Sequence, residues 1–382
     1  MAERVAVVGV KQSRFEPNKK NQHLTELVYE VVSGLYADLK IVPSQVDNIV
    51  SCSQDFLDGR TISNRTIPEV EGAYLKSEAK VAGDGTMAVF FGMMRILSGK
   101  YKTCLVLAHA KMSEGAQRVI ANAQFDPFFH QALGLDELSA GALQARRYLH
   151  RYKLSESLPA AAAAKALTLA AKNPLVFRGR ETSTAEVLSS PMLASPIREL
   201  EAFAPADGCA ALLLAHESVA AKFADRPVWI AGAGQAVDAY YLGDRDLSDV
   251  KALSAASKKA YKMAGVKDPL RELDLVELTD FYSYQELLWM EGLGLCKRGK
   301  AGGMLSSGMT APDGEIPVNP SGGVLGGNPL CVAGLTRVIE CVKQIRGEAG
   351  AHQLPKPVKA AAAQGCYGPA GQSQCVVVLR SD

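Results

Sequence analysis

The sequence predicts an α/β fold built from one sheet-and-helix unit used twice, with a long excursion inserted into the first copy. Three observations predict it. The strand-like segments are continuous apolar runs, as in a sheet covered on both faces. The order of elements in the second half replays that of the first, the mark of an internal repeat. The chain also has 382 residues, more than one hydrophobic core ordinarily serves.

The first unit opens with the strand Arg4–Val10. A helix follows over Leu24–Leu39, with apolar residues at Leu24, Leu27, Val28, Val31, Val32 and Leu35, the spacing of one buried helical face. Strand Val46–Cys52 comes next. Gly85–Leu97 is apolar almost all round and reads as a helix buried on every side. Strands Cys104–Ala108 and Cys209–Ala215 close the unit, and between them Lys111–Pro205 reads as the excursion. Its segment Leu158–Lys172 is helix-favouring by composition. In the second unit strand Val228–Ala233 answers the first strand, and helix Ser254–Ala264 answers the first helix. Strand Asp274–Leu278, the Gly-rich turn and helix Gly322–Ile345, and strands Lys359–Gln364 and Gln374–Arg380 answer the rest. The implied division is 1–110 plus 206–225, an excursion over 111–205, and 226–382.

Composition excludes several classes. Hydrophobic residues make up 48% and charged ones 21%, which is that of a core-burying protein. With 42 basic and 40 acidic residues the net charge is +2, which leaves no basic field for nucleic acid. No apolar run approaches a membrane span, and the first residues lack the pattern of a secretory leader. The eight cysteines form no CxxC pair and mostly sit in apolar runs. That predicts reduced, buried thiols in a cytoplasmic protein, and no structural metal site.

Four segments, in this order, resemble the thiolase superfamily in its sterol-carrier-protein-type branch. They are LSSPMLASPIRELEAFAPADGCAALLLA (Leu188–Ala215), VELTDFYSYQELLWMEGLGLC (Val276–Cys296), GEIPVNPSGGVLGGNPLCVAGLTRVIE (Gly314–Glu340) and GCYGPAG (Gly365–Gly371). The resemblance implies the thiolase fold: α/β, with duplicated βαβαβ halves in a five-layer αβαβα arrangement. The excursion would be its loop domain, carrying most coenzyme A contacts. It further implies an acyltransferase that uses coenzyme A as substrate, no covalently bound cofactor, and at least a homodimer.

The reactive positions depart from the family. A thiolase begins its buried helix with a nucleophilic cysteine, whose thiol is activated by the helix N-terminus and whose acyl oxyanion meets backbone N–H groups. Here the stretch is Val81-Ala82-Gly83-Asp84-Gly85-Thr86. The cysteine position falls on Ala82 or Gly83, neither of which can form an acyl-enzyme. The amides of Ala82, Gly83 and Gly85 remain as candidate oxyanion donors. Asp84 reads either as the helix N-cap or as a desolvated base. The family's Gly-His-Pro histidine is Asn328 here, able to donate a hydrogen bond to a carbonyl but not to accept a proton at neutral pH. The branch's second histidine is Thr279, followed by Asp280, an orienting candidate, and Tyr282, a substrate-side or core aromatic. The second family cysteine, which shuttles the α-carbon proton, is matched by Cys366, followed by Tyr367 and Gly368. None of the six histidines falls on a family catalytic position.

Three functions follow from this pattern. The first is coenzyme A-dependent carbon–carbon cleavage of a β-oxoacyl-CoA without an acyl-cysteine, Cys366 serving as base or nucleophile. The opening CSQDFLDGRTIS (Cys52–Ser63) resembles the benzoylsuccinyl-CoA thiolase group, which implies a bulky or aromatic substrate. The second is retro-aldol cleavage of a β-hydroxyacyl-CoA, with Tyr282, Tyr284 and Tyr367 as acid–base candidates. The third is a catalytically silent scaffold. The retained Cys366 favours the first. Nucleophile-free relatives and archaeal thiolases work with a small zinc-ribbon/OB-fold subunit, so the resemblance implies such a partner in a heteromeric complex.

Overall fold

The computed structural model describes residues 3–327 and 329–382; Asn328, singled out above, lies outside the described residues. The first unit runs β1 (Val5–Gln12), α1 (Leu24–Leu39), β2 (Asn48–Cys52), β3 (Ser77–Val81), α2 (Gly85–Leu97) and β4 (Thr103–Lys111). The excursion holds α3 (Gln117–Ala123), α4 (Glu137–Tyr152), α5 (Ser157–Ala170), α6 (Thr184–Ser189) and the small hairpin β5 (Met192–Ala194) and β6 (Ile197–Arg198). The chain then re-enters the sheet at β7 (Asp207–His216), followed by α7 (Glu217–Ala220). The second unit runs β8 (Val228–Val237), α8 (Lys251–Ala264), α9 (Pro269–Glu272), β9 (Leu275–Glu277), α10 (Ser283–Gly292), α11 (Ala301–Ser306) and α12 (Ala333–Arg346). It ends on β10 (Ala360–Tyr367) and β11 (Ser373–Arg380).

The main strands form one mixed nine-stranded sheet in the order β3-β2-β4-β7-β1-β8-β11-β10-β9. β2 pairs in parallel with β3 and β4, and β7 runs antiparallel to β4 and β1. The other half repeats this, β11 lying antiparallel between β8 and β10 and β9 parallel to β10. The halves join where β1 meets β8, through Ala6 opposite Trp229 and Val7 opposite Val228. A single parallel bridge, Val276 to Val318, stands where the first half has β3.

Side-chain alternation along the strands builds the layers. Val5 and Val7 of β1, Cys104 and Val106 of β4, and Cys375 and Val377 of β11 enter one core with α2 and α12. Ala6 and Val8 of β1 and Leu105 and Leu107 of β4 enter a second core under α1. Ala362 of β10 and Val376 and Val378 of β11 enter a third under α8 and α10. Helices α2 and α12 thus lie between the two half-sheets, with further helices outside each: the five-layer thiolase arrangement. α2 buries Met87, Ala88, Val89, Met93 and Ile96 in this layer, but the expectation of a helix buried on every side is corrected, since Phe90, Phe91 and Leu97 are half-buried and Met94 is exposed.

One strand was not expected, and the boundary between the Gly-rich turn and its helix becomes definite. β3 is a strand that the sequence, with Glu78 and Lys80 in it, did not show; it is an edge strand, partly exposed and therefore free to be polar. Within the Gly-rich turn and helix expected over Gly322–Ile345, the helix begins at Ala333. Asn319, Gly322, Gly323 and Gly327 have φ of 51°, 91°, 61° and 99°, and a left-handed backbone cannot continue a right-handed helix.

Candidate active site

A cavity of about 230 Å³ opens where the excursion meets the ends of the second unit's strands. Leu57, Met112, Leu138, Phe203, Phe281 and Leu330 give it apolar walls. Its polar lining includes Glu137 at the head of α4, Tyr282 before α10, and Cys366, Tyr367 and Gly368 at the end of β10. The aromatic wall is ordered edge to face: Phe203 and Phe281 lie 5.2 Å apart at 66°, and Phe203 and Tyr282 6.3 Å apart at 70°. Gly141 of α4 lets the Tyr282 ring approach, since a Cβ there would sit 2.6 Å from it.

The sequence-derived candidates separate into two groups. Cys366, Tyr367, Gly368 and Tyr282 share the cavity. Ala82, Gly83, Asp84, Gly85 and Asp280 do not line it. The reason is visible in the Asp84 carboxylate, which is 1% exposed and sits between the starts of α2 and α12. Its Oδ1 accepts from the Thr86 amide at 2.9 Å and the Thr86 hydroxyl at 2.6 Å, and its Oδ2 accepts from the Gly334 amide at 2.8 Å. The Thr86 amide at the start of α2 and the Gly334 amide in the first turn of α12 are therefore capped from within, and the amides of Ala82, Gly83 and Gly85 lie outside the cavity lining. Ala82 is exposed and Gly85 is packed against Leu335, with a virtual Cβ 2.4 Å from the Leu335 Cβ. Burial pushes the Asp84 carboxyl up to about 6, against the hydrogen bonds that favour its charge.

Asp84 is near Cys366 in space yet on the other side of a strand. A Cβ on Gly365 would lie 2.0 Å from Asp84 Oδ1, and alternation turns the next side chain, Cys366, to the opposite face of β10. There the Cys366 thiol donates to the Thr279 carbonyl at 3.7 Å. Burial pushes it well above the ordinary thiol range, and the charges of Asp84, Glu137 and Asp280 push it further. A thiol so placed stays protonated and is a poor nucleophile. Thr279 itself is tied to β10, its hydroxyl donating to the Gln364 carbonyl and its carbonyl accepting from Trp289 Nε1, both at 2.9 Å.

Asp280 lies beneath the Gly-rich turn, where its Oδ1 accepts from the Val324 amide at 3.0 Å. Burial and then Glu286 raise its carboxyl to about 7. Tyr284 is held outside the cavity by a 2.8 Å bond from its hydroxyl to Gln144. Burial raises the Tyr282 and Tyr367 phenols above their usual range, so both remain hydrogen-bond donors at neutral pH. His109 faces Asp58 in the first unit's interior, Nδ1 to Oδ2 3.2 Å, away from the cavity lining. Among the described residues no group of three or more His, Cys, Asp or Glu could hold a metal ion. Nor is any helix long and apolar enough to cross a membrane. All eight cysteines are free thiols.

The sequence reading missed the excursion's contribution. Asp136 and Glu137 begin α4, Asp136 capping it through the Ser139 amide at 2.8 Å and receiving Arg118 at 3.3 Å. Its carboxyl is lowered, the Ser139 and Arg118 hydrogen bonds outweighing the burial that opposes them. Glu137 beside it is raised to about 7, first by burial and then by Asp136, with Arg245 opposing. An Asp-Glu pair at a helix start reads from sequence as ordinary dipole-complementing acid, and no motif marks it otherwise.

Comparison with known proteins agrees with this architecture. Residues 234–381 match the family model described as thiolase C-terminal domain-like. The chain is 30% identical over 360 residues to an acetyl-CoA acetyltransferase of Methanothermobacter thermautotrophicus, covering 92% of this chain and 93% of that one. It is 27% identical to sterol carrier protein 2 of Oryctolagus cuniculus over 92% of this chain and 68% of the relative. To the benzoylsuccinyl-CoA thiolase subunit BbsB of Thauera aromatica it is 28% identical over 56% and 55% of the two chains. Among solved structures, the Ltp2-ChsH2(DUF35) aldolase superposes with a TM-score of 0.82 at 21% identity, covering 99% of this chain and 98% of that one. Human mitochondrial 3-ketoacyl-CoA thiolase, also solved in complex with CoA, gives 0.75 at 17%, covering 100% of this chain. With its layers, its repeat and its relatives in agreement, this chain belongs to the thiolase superfamily, as an enzyme of the branch that resembles sterol-carrier-protein-type thiolases.

Proposed function

We propose that the protein cleaves a carbon–carbon bond in an acyl-CoA by a retro-aldol reaction on a β-hydroxyacyl-CoA, with no acyl-enzyme. The observation that carries this reading is the cavity's chemistry. It holds two adjacent carboxyls, Asp136 and Glu137, and two phenols, and its one thiol is kept neutral by burial. Retro-aldol cleavage needs a proton acceptor and hydrogen-bond donors for the enolate oxygen, and nothing more. Thiolysis without an acyl-cysteine needs a second coenzyme A in the site at the same moment as the first.

The coenzyme A-dependent cleavage of a β-oxoacyl-CoA stands as the second reading, favoured by Cys366 lining the cavity. The two are separated by incubating the protein with paired β-hydroxyacyl- and β-oxoacyl-CoA substrates, with and without free coenzyme A, and following products by mass spectrometry. Release of an acyl-CoA and a carbonyl product without free coenzyme A is the expected result. Turnover that requires free coenzyme A and vanishes in Cys366→Ala would return the reaction to thiolysis. No cleavage of any ester, alone or with a partner subunit, would leave the scaffold reading. The Phe203, Phe281 and Tyr282 wall favours a bulky, ring-bearing acyl group over a linear one. Asn328 is carried, on sequence grounds alone, as a donor to the thioester oxygen.

We further propose a homodimer core. Its support is the open edge of β3 together with exposed Phe56, Ile62, Tyr74 and Leu75 in the segment that leads into it. A small zinc-ribbon/OB-fold partner is proposed from the family resemblance and from the two-component name of the superposed aldolase. Light scattering of the protein alone and co-expressed with such a subunit tests both.

A further inference from the structure

Glu137 is a cavity carboxyl that neither the sequence motifs nor the family positions explain. It stands at the first position of α4, a helix of the excursion and not of either sheet unit. Its neighbour Asp136 is used up by the helix cap and by Arg118. Among the described residues, no hydrogen bond or ion pair engages the Glu137 carboxylate. Protein surrounds it, while part of its surface stays accessible along the cavity it lines with Tyr282, Cys366 and Tyr367. A half-buried carboxylate with no partner, in a cavity whose walls include Leu138, Phe203 and Leu330, is a cost to folding, and its use is as a proton acceptor. The contrast within the Asp136–Glu137 pair points the same way, since two adjacent carboxyls held in opposite protonation ranges are how acid–base sites divide their roles.

We propose that Glu137, delivered into the cavity by the head of α4, is the catalytic residue that takes the substrate's proton and returns it. The inference rests on the retro-aldol reading above. In that reaction the Glu137 carboxylate removes the proton of the β-hydroxyl. The Cα–Cβ bond breaks, the Cβ–O bond becomes a carbonyl, and the electron pair passes through Cα to the thioester oxygen. The phenols of Tyr282 and Tyr367 donate hydrogen bonds to that enolate. After the carbonyl product leaves, the Glu137 carboxylic acid returns its proton to Cα, giving the acyl-CoA. No further reactant enters, and the enzyme ends as it began.

The second half-reaction is testable without the natural substrate, using acetyl-CoA as probe. Wild-type protein in deuterated water should exchange the methyl hydrogens of acetyl-CoA, at a rate that rises with pH through about 7. The groups facing Glu137 that set this value are Asp136, which raises it, and Arg245, which lowers it. Glu137→Gln keeps the size of the side chain. It should lose exchange by about 10²-fold or more, the usual share of a general base, and lose the inflection. Glu137→Asp should recover part of the rate. A Glu137→Gln variant, folded by circular dichroism, that exchanges within tenfold of wild type with the same pH profile overturns the proposal. If the wild type itself exchanges nothing, the retro-aldol reading falls. The role of Glu137 then turns on the infrared carboxyl band missing from Glu137→Gln. A shift of that band on adding acetyl-CoA supports contact with the thioester, and an unmoved band overturns it.

Discussion

Asp84 offers a direct test of which force governs the centre of this molecule. Its carboxylate caps two helices at once, and a helix N-terminus should stabilise its charge and lower its pKa. Yet it is 1% exposed, and desolvation wins, placing it at about 6 against about 3.9 in an unfolded chain. Linkage fixes the sign. A carboxyl raised on folding contributes stability that is fully present below the unfolded value and is lost as pH rises through the folded one. Between pH 5 and pH 7.5 the two titrations differ by about one proton-decade, so wild type loses about 1.4 kcal/mol from this group over that interval. Asp84→Asn cannot titrate. It still offers an oxygen to the Thr86 amide, but sets an NH₂ against the Gly334 amide that now donates to Oδ2 at 2.8 Å, stranding a buried N–H at about 1–3 kcal/mol. Urea unfolding followed by tryptophan fluorescence should find the variant less stable at pH 5, with the gap to wild type narrowing by about 1.4 kcal/mol at pH 7.5. A gap that widens with pH would refute the reasoning, because the helix termini would then outweigh desolvation.

Gly141→Ala should push the Tyr282 ring into the cavity, because the new Cβ would stand 2.6 Å from it. The expected result is a stability change under about 2 kcal/mol, overpacking offset by better helix propensity, with acetyl-CoA binding by calorimetry weakened at least tenfold; unchanged binding would show the ring is free to move. Lys165 Nζ lies 2.7 Å from Glu286 Oε1, and Lys165→Ala leaves that carboxylate buried and alone, a loss of about 3–5 kcal/mol. Burial already raises Glu286, so the variant's deficit in urea unfolding should be smaller at pH 5 than at pH 8, where the charge must persist. Trp289→Phe removes the 2.9 Å bond to the Thr279 carbonyl and underfills a fully buried position, which should together cost about 2–4 kcal/mol, read as a lower urea midpoint with acetyl-CoA affinity unchanged.

The elements legible in the sequence were those with one-dimensional signatures. β1, β4, β7 and β11 are apolar runs because both their faces are covered, and α1 carries a one-sided stripe because only one of its faces is. β3 was not legible, since an edge strand satisfies only one neighbour and can be polar. The Gly-rich turn at 319–327 was read as the approach to a helix, because glycine reports permission for positive φ without saying where it is used.

The sequence by itself determined the repeat, because it is written in residue type and order along the chain, while the layers followed from the family resemblance. It also named Cys366, Tyr367 and Tyr282, which lie at motif positions. What only the tertiary structure decided was availability. Asp84 turns its carboxylate onto the amides of two helix starts far apart in the chain, and strand alternation sets it and Cys366 on opposite faces of β10. The excursion brings Glu137, more than 200 residues from Cys366 in sequence, into the same cavity. Whether a polar group is spent on the fold or left free for chemistry depends on what surrounds it in space, and residue order does not encode that.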